Sequence, residues 1–156
     1  MNSKEKEIFS DSLNYRIDRR CLYHKEHTWI RITDSKTAFI GLSDFAQKEM
    51  GVINMADLPE PGDEVCAGRP FGTLESGKWV QKLFAPVSGT VKASNREAML
   101  SGSIINKDPY GKGWLLQIEL EDISRFNEEK KTLMTHEEYS AFCLKEKERI
   151  KAGNQR

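Results

Sequence analysis

Proline and glycine divide the central part of the sequence into short β-prone runs, and this pattern restricts the fold more than any other feature. Between residues 52 and 90 the interruptions fall at Pro59, Pro61, Gly62, Gly68, Pro70, Pro86 and Gly89. Proline is avoided in the middle of a sheet, and glycine permits tight turns. Closely spaced short strands are typical of a sandwich or barrel and not of βαβ units. We therefore predict a mainly β fold.

The sequences on either side of this region carry clear local signals. Residues 28–33 and 37–42 are β-prone and enclose three turn-forming residues, which predicts a hairpin. Ser43 can cap a short helix after this hairpin, and Gly51 is placed to end that helix. Residues 114–120 contain the last strong strand pattern. We expect short antiparallel strands with a few short helices between them.

The two ends of the chain differ in character from the β region. Residues 1–20 are polar, with apolar side chains near helical spacing, which predicts a helical or flexible extension. Thr135 and Glu138 match a capping box, which predicts a helix from about 136 to 151 packed by one apolar stripe. We therefore divide the chain into an extension (1–20), a β domain (21–122) and a C-terminal helical segment (123–156).

Charge and composition exclude several classes of function. The 24 basic and 24 acidic residues balance, so the chain lacks the net positive charge that would attract nucleic acid or an anionic membrane. No apolar run approaches the length that crosses a bilayer, and residues 1–7 lack the apolar run of a secretory signal. We expect a cytoplasmic protein. Its three cysteines, Cys21, Cys66 and Cys143, are expected to be reduced, small buried hydrophobic residues.

The most informative segment surrounds Lys78. Two β-prone runs flank Ser76-Gly77-Lys78-Trp79, and Gly77 at the first central position predicts a type II′ hairpin turn. Such a turn holds a lysine amine extended and solvated on rigid strands, where another enzyme can acylate it. Judged by spacing alone, the favoured interpretation is that Lys78 is an ordinary exposed lysine at the tip of a hairpin.

Five motifs occur in the order and at the spacing that they have in a known protein family, and they indicate a more specific role for this segment. Glu75-Ser76-x-Lys78, followed by Ala85-Pro86-Val87-Ser88-Gly89, resembles the modification hairpin of lipoyl domains. The other four resemble segments of glycine-cleavage H proteins: Lys25-Glu26-His27-Thr28-Trp29-Ile30, Gly41-Leu42-Ser43-Asp44-Phe45-Ala46-Gln47, Leu58-Pro59-Glu60-Pro61-Gly62-Asp63-Glu64-Val65 and Asn106-Lys107-Asp108-Pro109-Tyr110-Gly111-Lys112-Gly113-Trp114. Together the matches span about residues 22–145.

The resemblance implies a lipoyl-domain barrel sandwich (hybrid motif) with short helices and a C-terminal helix. It also implies a covalent lipoyl amide on Lys78 and a carrier, not an enzyme, with no metal and no catalytic residues of its own. The cofactor-binding residues implied beside Lys78 are Glu75, Ser76, Gly77, Trp79 and His27, and the 108–111 loop is expected to help house the arm. Biotin carriers flank their lysine with methionines, whereas Gly77 and Trp79 flank Lys78 here.

The turn also departs from the usual H-protein pattern of Glu-Ser-Val-Lys-Ala followed by a serine and an acid. Gly77, Trp79, Gln81 and Lys82 occupy those places, and Lys82 reverses a charge where partners dock. These departures resemble H-protein-like lipoate-binding proteins of heterodisulfide-reductase-like sulfur oxidation, the interpretation we favour from sequence. The alternative is an H protein of the glycine cleavage system carrying the aminomethyl group.

The implied partners follow from these two interpretations. A lipoate-protein ligase would attach the cofactor, and a dihydrolipoamide-dehydrogenase-like flavoprotein would reoxidise it. The arm would visit a heterodisulfide-reductase-like complex, or else glycine decarboxylase and aminomethyltransferase. An unmodified lipoyl-like interaction module is the alternative of another class. A metal site at Cys21, His24 and His27 is disfavoured, because alternation along an extended strand would send the two histidines to opposite faces.

Overall fold

A computed structural model describes residues 3–12, 14–77 and 79–154 of the chain. Lys78, on which the implied lipoyl attachment falls, lies outside the described residues. The helices are α1 (Ser3–Ile8), α2 (Asp44–Met50), α3 (Arg96–Leu100), α4 (Ser103–Lys107), α5 (Ile123–Glu129) and α6 (His136–Asn154), with a 3₁₀ turn at Lys130–Thr132. The strands are β1 (Phe9–Ser12), β2 (Tyr15–Asp18), β3 (Leu22–Tyr23), β4 (Thr28–Ile32), β5 (Thr37–Leu42), β6 (Ile53–Asp57), β7 (Glu64–Val65), β8 (Pro70–Ser76), β9 (Val80–Phe84), β10 (Gly89–Ser94) and β11 (Leu116–Glu119).

The described strands pair antiparallel in three sheets. One sheet has six strands in the order β3-β4-β5-β11-β10-β7, one has three in the order β6-β8-β9, and β1 pairs with β2 alone. No ladder among the described strands joins these sheets into a closed barrel. Mainly antiparallel sheets with short helices and a C-terminal helix confirm the predicted fold class.

Local sequence signals place several elements correctly. β4 and β5 form the predicted hairpin, and Ser43 Oγ accepts the Ala46 N–H at the start of α2, as the cap requires. At the start of α6 the capping box forms in both directions. Glu138 N–H donates to Thr135 Oγ1 over 3.2 Å, and Thr135 N–H donates to the Glu138 carboxylate over 2.9 Å. Each of these signals depends on residues within four positions of one another, so contacts with distant parts of the chain do not alter it.

The interior contains two clusters of buried side chains. The larger is aliphatic and lies between the six-stranded and three-stranded sheets. The smaller is aromatic and collects Tyr15, Ile17, Cys21, Tyr23, Trp29, Phe45, Tyr110, Tyr139 and Cys143. Trp29 is fully buried and donates its indole N–H to Leu42 O over 3.0 Å. Its ring covers Gly41, where an added Cβ would lie 2.3 Å from Trp29 Cζ2, so only glycine fits there.

The N-terminal segment is more ordered than its composition predicts. Helix α1 ends at Ile8, and β1 and β2 then form an antiparallel pair in which Ser10 faces Ile17. The prediction of a helix that includes Phe9 and Ile17 is therefore wrong. Tyr15 and Ile17 are buried on one face of β2, because alternation directs both into the aromatic cluster. Leu13, part of the same pattern, lies outside the described residues. The domain boundaries at residues 20 and 122 stay predictions.

The cysteines fall into two groups. Cys21 and Cys143 are buried in the aromatic cluster, as predicted, and burial raises the pKa of the Cys143 thiol to about 12. Cys66 is exposed, so the prediction of a buried residue is wrong there. All three are free thiols. In the part of the chain that the structure describes, no helix is both long enough and apolar enough to cross a membrane.

Candidate cofactor-attachment site

The hairpin of β8 and β9 is paired as far as Ser76 and Trp79. Ser76 N–H donates to Trp79 O over 3.0 Å, and Glu75 faces Val80 in the register below. Only two residues therefore connect the paired positions Ser76 and Trp79, as the sequence predicts. Since β8 is hydrogen-bonded on both sides, by β6 and by β9, the turn is carried on a rigid strand.

The backbone of the turn differs from the type II′ turn that we predicted. That type needs a positive φ at its first central residue, which is Gly77. Among the described glycines positive φ occurs at Gly51, Gly62 and Gly68, and Gly77 is not one of them. A Cβ built on Gly77 meets no atom within 4 Å, so neither conformation nor space demands glycine there.

The structure brings Glu75, Ser76 and Trp79 to one end of the three-stranded sheet. Glu75 is exposed and lies between Met55 on β6 and Val80 on β9, both of which are also exposed. Trp79 exposes 61% of its surface, which is unusual for tryptophan, whereas Ser76 is buried. The tip therefore offers a carboxylate framed by apolar groups, a pattern suited to recognition by another protein.

A groove of about 380 Å³ begins beside the turn. Its apolar lining includes Leu42, Phe45, Ala46, Met50, Trp79 and Ile150, and its charged lining includes Glu26, Glu49, Lys82, Glu146 and Arg149. His27 also lines this groove. The apolar side chains suit an alkyl chain or a dithiolane ring, and the polar groups at the margin suit its ends. The groove therefore fits a lipoyl arm attached at the adjacent turn.

His27 sits in a tight turn between β3 and β4, not on a strand. Its N–H donates to His24 O over 2.9 Å, and its carbonyl accepts Ser43 N–H over 2.9 Å. The assumption of an extended strand across His24 and His27 is therefore wrong. His27 adopts a φ of 74°, a conformation that costs a non-glycine residue about 1–2 kcal/mol. The bonds on both sides hold it there.

The imidazole of His27 is clamped by aromatic rings. The ring centroids of Phe45, Phe142 and Tyr139 lie 5.2, 5.6 and 5.7 Å from it. Nδ1 is 2.7 Å from the Tyr139 hydroxyl, which is in turn 2.6 Å from Ser43 Oγ. Burial lowers the pKa of His27, although the nearby Glu146 carboxylate opposes this effect, so the ring is neutral at neutral pH. Burial raises the pKa of Tyr139, which remains a hydroxyl.

The 108–111 loop does not contribute to this groove. Asp108, Pro109 and Tyr110 line a second cavity of about 800 Å³, together with residues of β2 and α2. The expectation that the loop helps to house the arm therefore stays a prediction, and the loop lies away from the groove beside the turn. Its contacts are structural, because the Tyr110 hydroxyl donates to Arg16 O over 3.0 Å and Asp108 Oδ2 accepts the Lys112 N–H.

Helix α6 supplies groove residues that the sequence did not suggest. Glu146, Arg149 and Ile150 line the groove, and Lys147 Nζ lies 3.0 Å from Glu49 on α2. The charge run in this helix was interpreted as a solvated face. The only signal for a contact was Ile150, which continues the apolar stripe of the helix and is half-buried.

Comparisons with known proteins agree with this geometry. The sequence model of a family described as "Glycine cleavage H-protein" matches residues 21–146. The glycine cleavage system H protein of Mycobacterium leprae (strain TN) is 44% identical over 123 residues, covering 79% of this chain and 93% of that protein. The H protein of Carboxydothermus hydrogenoformans is 41% identical over 126 residues, 81% of this chain and 93% of that one. A crystal structure of an H protein from Mycobacterium marinum has a TM-score of 0.69 and 31% identity, covering 80% of this chain and 97% of the other.

The hairpin and its groove, on this antiparallel scaffold, define a lipoyl-carrier class of protein. Within that class, the chain belongs to the glycine cleavage H-protein family. Members of this family carry lipoate covalently on a lysine and are carriers, not enzymes. The sulfur-oxidation interpretation and its heterodisulfide-reductase-like partners gain no support from these relatives, which fit the glycine cleavage alternative better.

Proposed function

We propose that this chain is an H protein of the glycine cleavage system, lipoylated on Lys78, which carries the aminomethyl group from glycine decarboxylase to aminomethyltransferase. The observation that carries the proposal is the pairing of Ser76 with Trp79, since the sequence has only Gly77 and Lys78 between them and the segment lies within the match to the family. Acylation removes the charge of the lysine amine and adds a flexible dithiol arm. Lipoate supplies the redox chemistry, since its disulfide accepts two electrons together with the transferred group.

The hairpin itself presents the lysine to the ligase. Glu75 is exposed three residues before Lys78 in the sequence, and the exposed apolar residues Met55 and Val80 are its neighbours in register on the two adjacent strands. Trp79 adds a large exposed ring directly after the lysine. A ligase with a basic group and an apolar rim would complement this surface.

The outer face of the three-stranded sheet is suited to the partner enzymes. One row across the sheet consists of Met55, Glu75 and Val80, and the next consists of Asp57, Thr73 and Lys82. Lys82 places a positive charge on this face. We expect it to select partners whose docking surface carries a matching acid, and to do so chiefly through the association rate.

The groove holds the arm between visits. Its apolar wall removes the alkyl chain from water, while Trp79 connects the groove to the turn. Tethering gives the arm a high effective concentration at each docked enzyme, so no strong contact within the groove is needed. A dihydrolipoamide-dehydrogenase-like flavoprotein then restores the disulfide. The cytoplasmic location stays a prediction.

The test is exchange of bicarbonate with the glycine carboxyl group, catalysed by glycine decarboxylase in the presence of the lipoylated chain. We expect exchange with the wild type and none with Lys78→Arg. Lys82→Arg, which keeps a charge elsewhere in the same hairpin, is the matched control and should retain exchange. If the lipoylated wild type supports no exchange, the glycine cleavage assignment is wrong. If Lys78→Arg is as active as the wild type, the attachment site is wrong.

A further inference from the structure

The two outer edges of the three-stranded sheet differ in how their backbones are covered. At the β6 edge, Ile53 N–H donates to Asn106 Oδ1 over 2.9 Å, and helices α3 and α4 pack alongside the strand. At the β9 edge, no other strand pairs with the backbone in the described part of the chain. Thr28 Oγ1 donates to Phe84 O over 2.7 Å, at the end of β9 that is farther from the attachment turn. The rest of β9 is therefore an open edge.

The pairing of β8 with β9 determines which backbone groups this edge presents. Residues of an antiparallel pair alternate between hydrogen-bonded and non-hydrogen-bonded positions. Ser76 N–H donates to Trp79 O over 3.0 Å, so the next position, Val80, is a non-hydrogen-bonded one. Lys82, two positions further along, is in the same situation. The N–H and C=O groups of Val80 and Lys82 therefore face away from β8, and each residue offers one donor and one acceptor.

The open edge faces the groove beside the turn. Trp79, Gln81 and Lys82 of β9 line this groove, whereas no described residue of β8 does. The opposite walls come from the β3–β4 turn, α2 and α6. The groove volume of about 380 Å³ is at the lower end of the range for small-ligand sites. The groove therefore admits a few residues of one extended chain, and not a second folded copy of this protein.

The charges along the edge indicate which segment fits. Lys82 is exposed and has no ion-pair partner among the described residues. Its charge favours an acid on the same face of an added strand, and a lysine on an edge strand opposes pairing with a second copy of that strand. The groove wall is apolar at Leu42 and Phe45, with the carboxylates of Glu49 and Glu146 at its margin. Because side chains alternate, the complementary segment has an acid towards Lys82 and apolar residues towards the groove wall.

We propose that β9 is a strand-addition site, at which an extended segment of glycine decarboxylase pairs with Val80 and Lys82 when that enzyme docks at the attachment hairpin. This inference rests on the proposed function. Glycine decarboxylase loads the arm, so it must hold the carrier while the arm reaches its active site. The open edge begins two residues after Lys78 in the sequence, so one docked enzyme can contact the edge and receive the arm. Main-chain hydrogen bonds hold the segment, and the acid opposite Lys82 selects it.

The first test is amide hydrogen exchange of the unmodified full-length chain, read residue by residue. The Val80 and Lys82 amides should exchange rapidly, whereas those of Gln81 and Leu83, which donate to β8, should exchange slowly. Slow exchange of all four amides at every protein concentration overturns the open edge. Protection of Val80 and Lys82 that increases with protein concentration also overturns the proposal, because a second copy then occupies the edge.

The second test is the bicarbonate exchange that glycine decarboxylase catalyses with the lipoylated chain. Val80→Pro removes one outward N–H and keeps the pairing with β8, because proline is tolerated on an edge strand. We expect the KM for the carrier to rise about three- to tenfold with kcat nearly unchanged, as the loss of one net hydrogen bond implies. Val80→Thr keeps the N–H and should recover most of the wild-type KM. Lys82→Glu reverses the charge without altering the backbone and should also raise the KM.

The outcomes separate this inference from the proposed function. Slow exchange of the Gln81 and Leu83 amides in Val80→Pro shows that its hairpin is folded. An unchanged KM in that folded variant, or an equal rise in Val80→Thr, overturns strand addition. If Val80→Pro does not fold, an unchanged KM in Lys82→Glu overturns the pairing with an acidic segment. A lipoylated wild type that supports no exchange refutes the proposed function first.

Discussion

Gly41→Ala tests the packing that supports the site. Gly41 pairs with Trp29 across β5 and β4, and an alanine Cβ would lie 2.3 Å from Cζ2 and 2.4 Å from Cε2 of the buried indole. The indole cannot yield easily, since Trp29 is fully buried and its N–H donates to Leu42 O. Overpacking a core in this way costs about 1–3 kcal/mol. Breaking the indole hydrogen bond adds about 1 kcal/mol.

A smaller effect of the same substitution raises the free energy of unfolding. Alanine restricts the unfolded chain more than glycine does, which stabilises a compatible site by about 0.4–1 kcal/mol. We therefore expect Gly41→Ala to lower the free energy of unfolding by about 2–3 kcal/mol. Gly77→Ala is the matched control, because its Cβ meets no atom within 4 Å and its φ is not positive. It should change stability by less than about 0.5 kcal/mol, as surface substitutions usually do.

The assay is equilibrium unfolding in urea, with the slope compared between variants to confirm that the same transition is measured. A Gly41→Ala protein within 0.5 kcal/mol of the wild type would refute the reasoning, since it would mean that the indole moves at little cost. A Gly77→Ala protein as destabilised as Gly41→Ala would also refute it, because the added carbon at Gly77 meets no atom within 4 Å.

Three further predictions concern the C-terminal helix α6 and the two histidines His24 and His27. Thr135→Ala removes the cap of α6 and should cost about 1 kcal/mol in urea unfolding; no change would mean that the capping box is not formed in solution. Lys147→Ala breaks an exposed pair with Glu49 and should cost less than about 1 kcal/mol, and a larger loss would indicate that this pair anchors α6. Burial lowers the pKa of His27 and His24 below the ordinary value of 6.5, so the unfolded chain binds protons first and stability should fall as the pH drops below 6.5. A stability profile that is flat from pH 7 to pH 5.5, or unchanged by His27→Gln, would contradict this.

Features that depend on neighbouring residues were predictable from sequence. The β4–β5 hairpin, the Ser43 cap and the Thr135–Glu138 capping box all form as expected, because each depends on contacts within a few residues. The β8–β9 hairpin was placed correctly for the same reason. Its turn type was not, since glycine tolerates conformations that it does not require.

Features that depend on distant residues were not predictable. The conformation of His27 is set by Ser43 and Tyr139, which are far from it in sequence. The groove is assembled from the β3–β4 turn, α2, β9 and α6, so none of these segments shows it alone. Tyr15 and Ile17 form a strand because the aromatic cluster accepts one face of β2, which helical spacing at residues 1–20 did not indicate.

The central claim is that Lys78 carries the lipoyl group, and intact mass tests it most directly. The full chain is incubated with lipoate-protein ligase, ATP and lipoate, and the modified peptide is then fragmented. We predict a mass gain of one lipoyl group on Lys78 in the wild type and in Lys82→Arg, with no gain in Lys78→Arg. An unmodified wild type, or a lipoyl group mapped to another lysine, would contradict the account and leave a lipoyl-like fold that serves in binding alone.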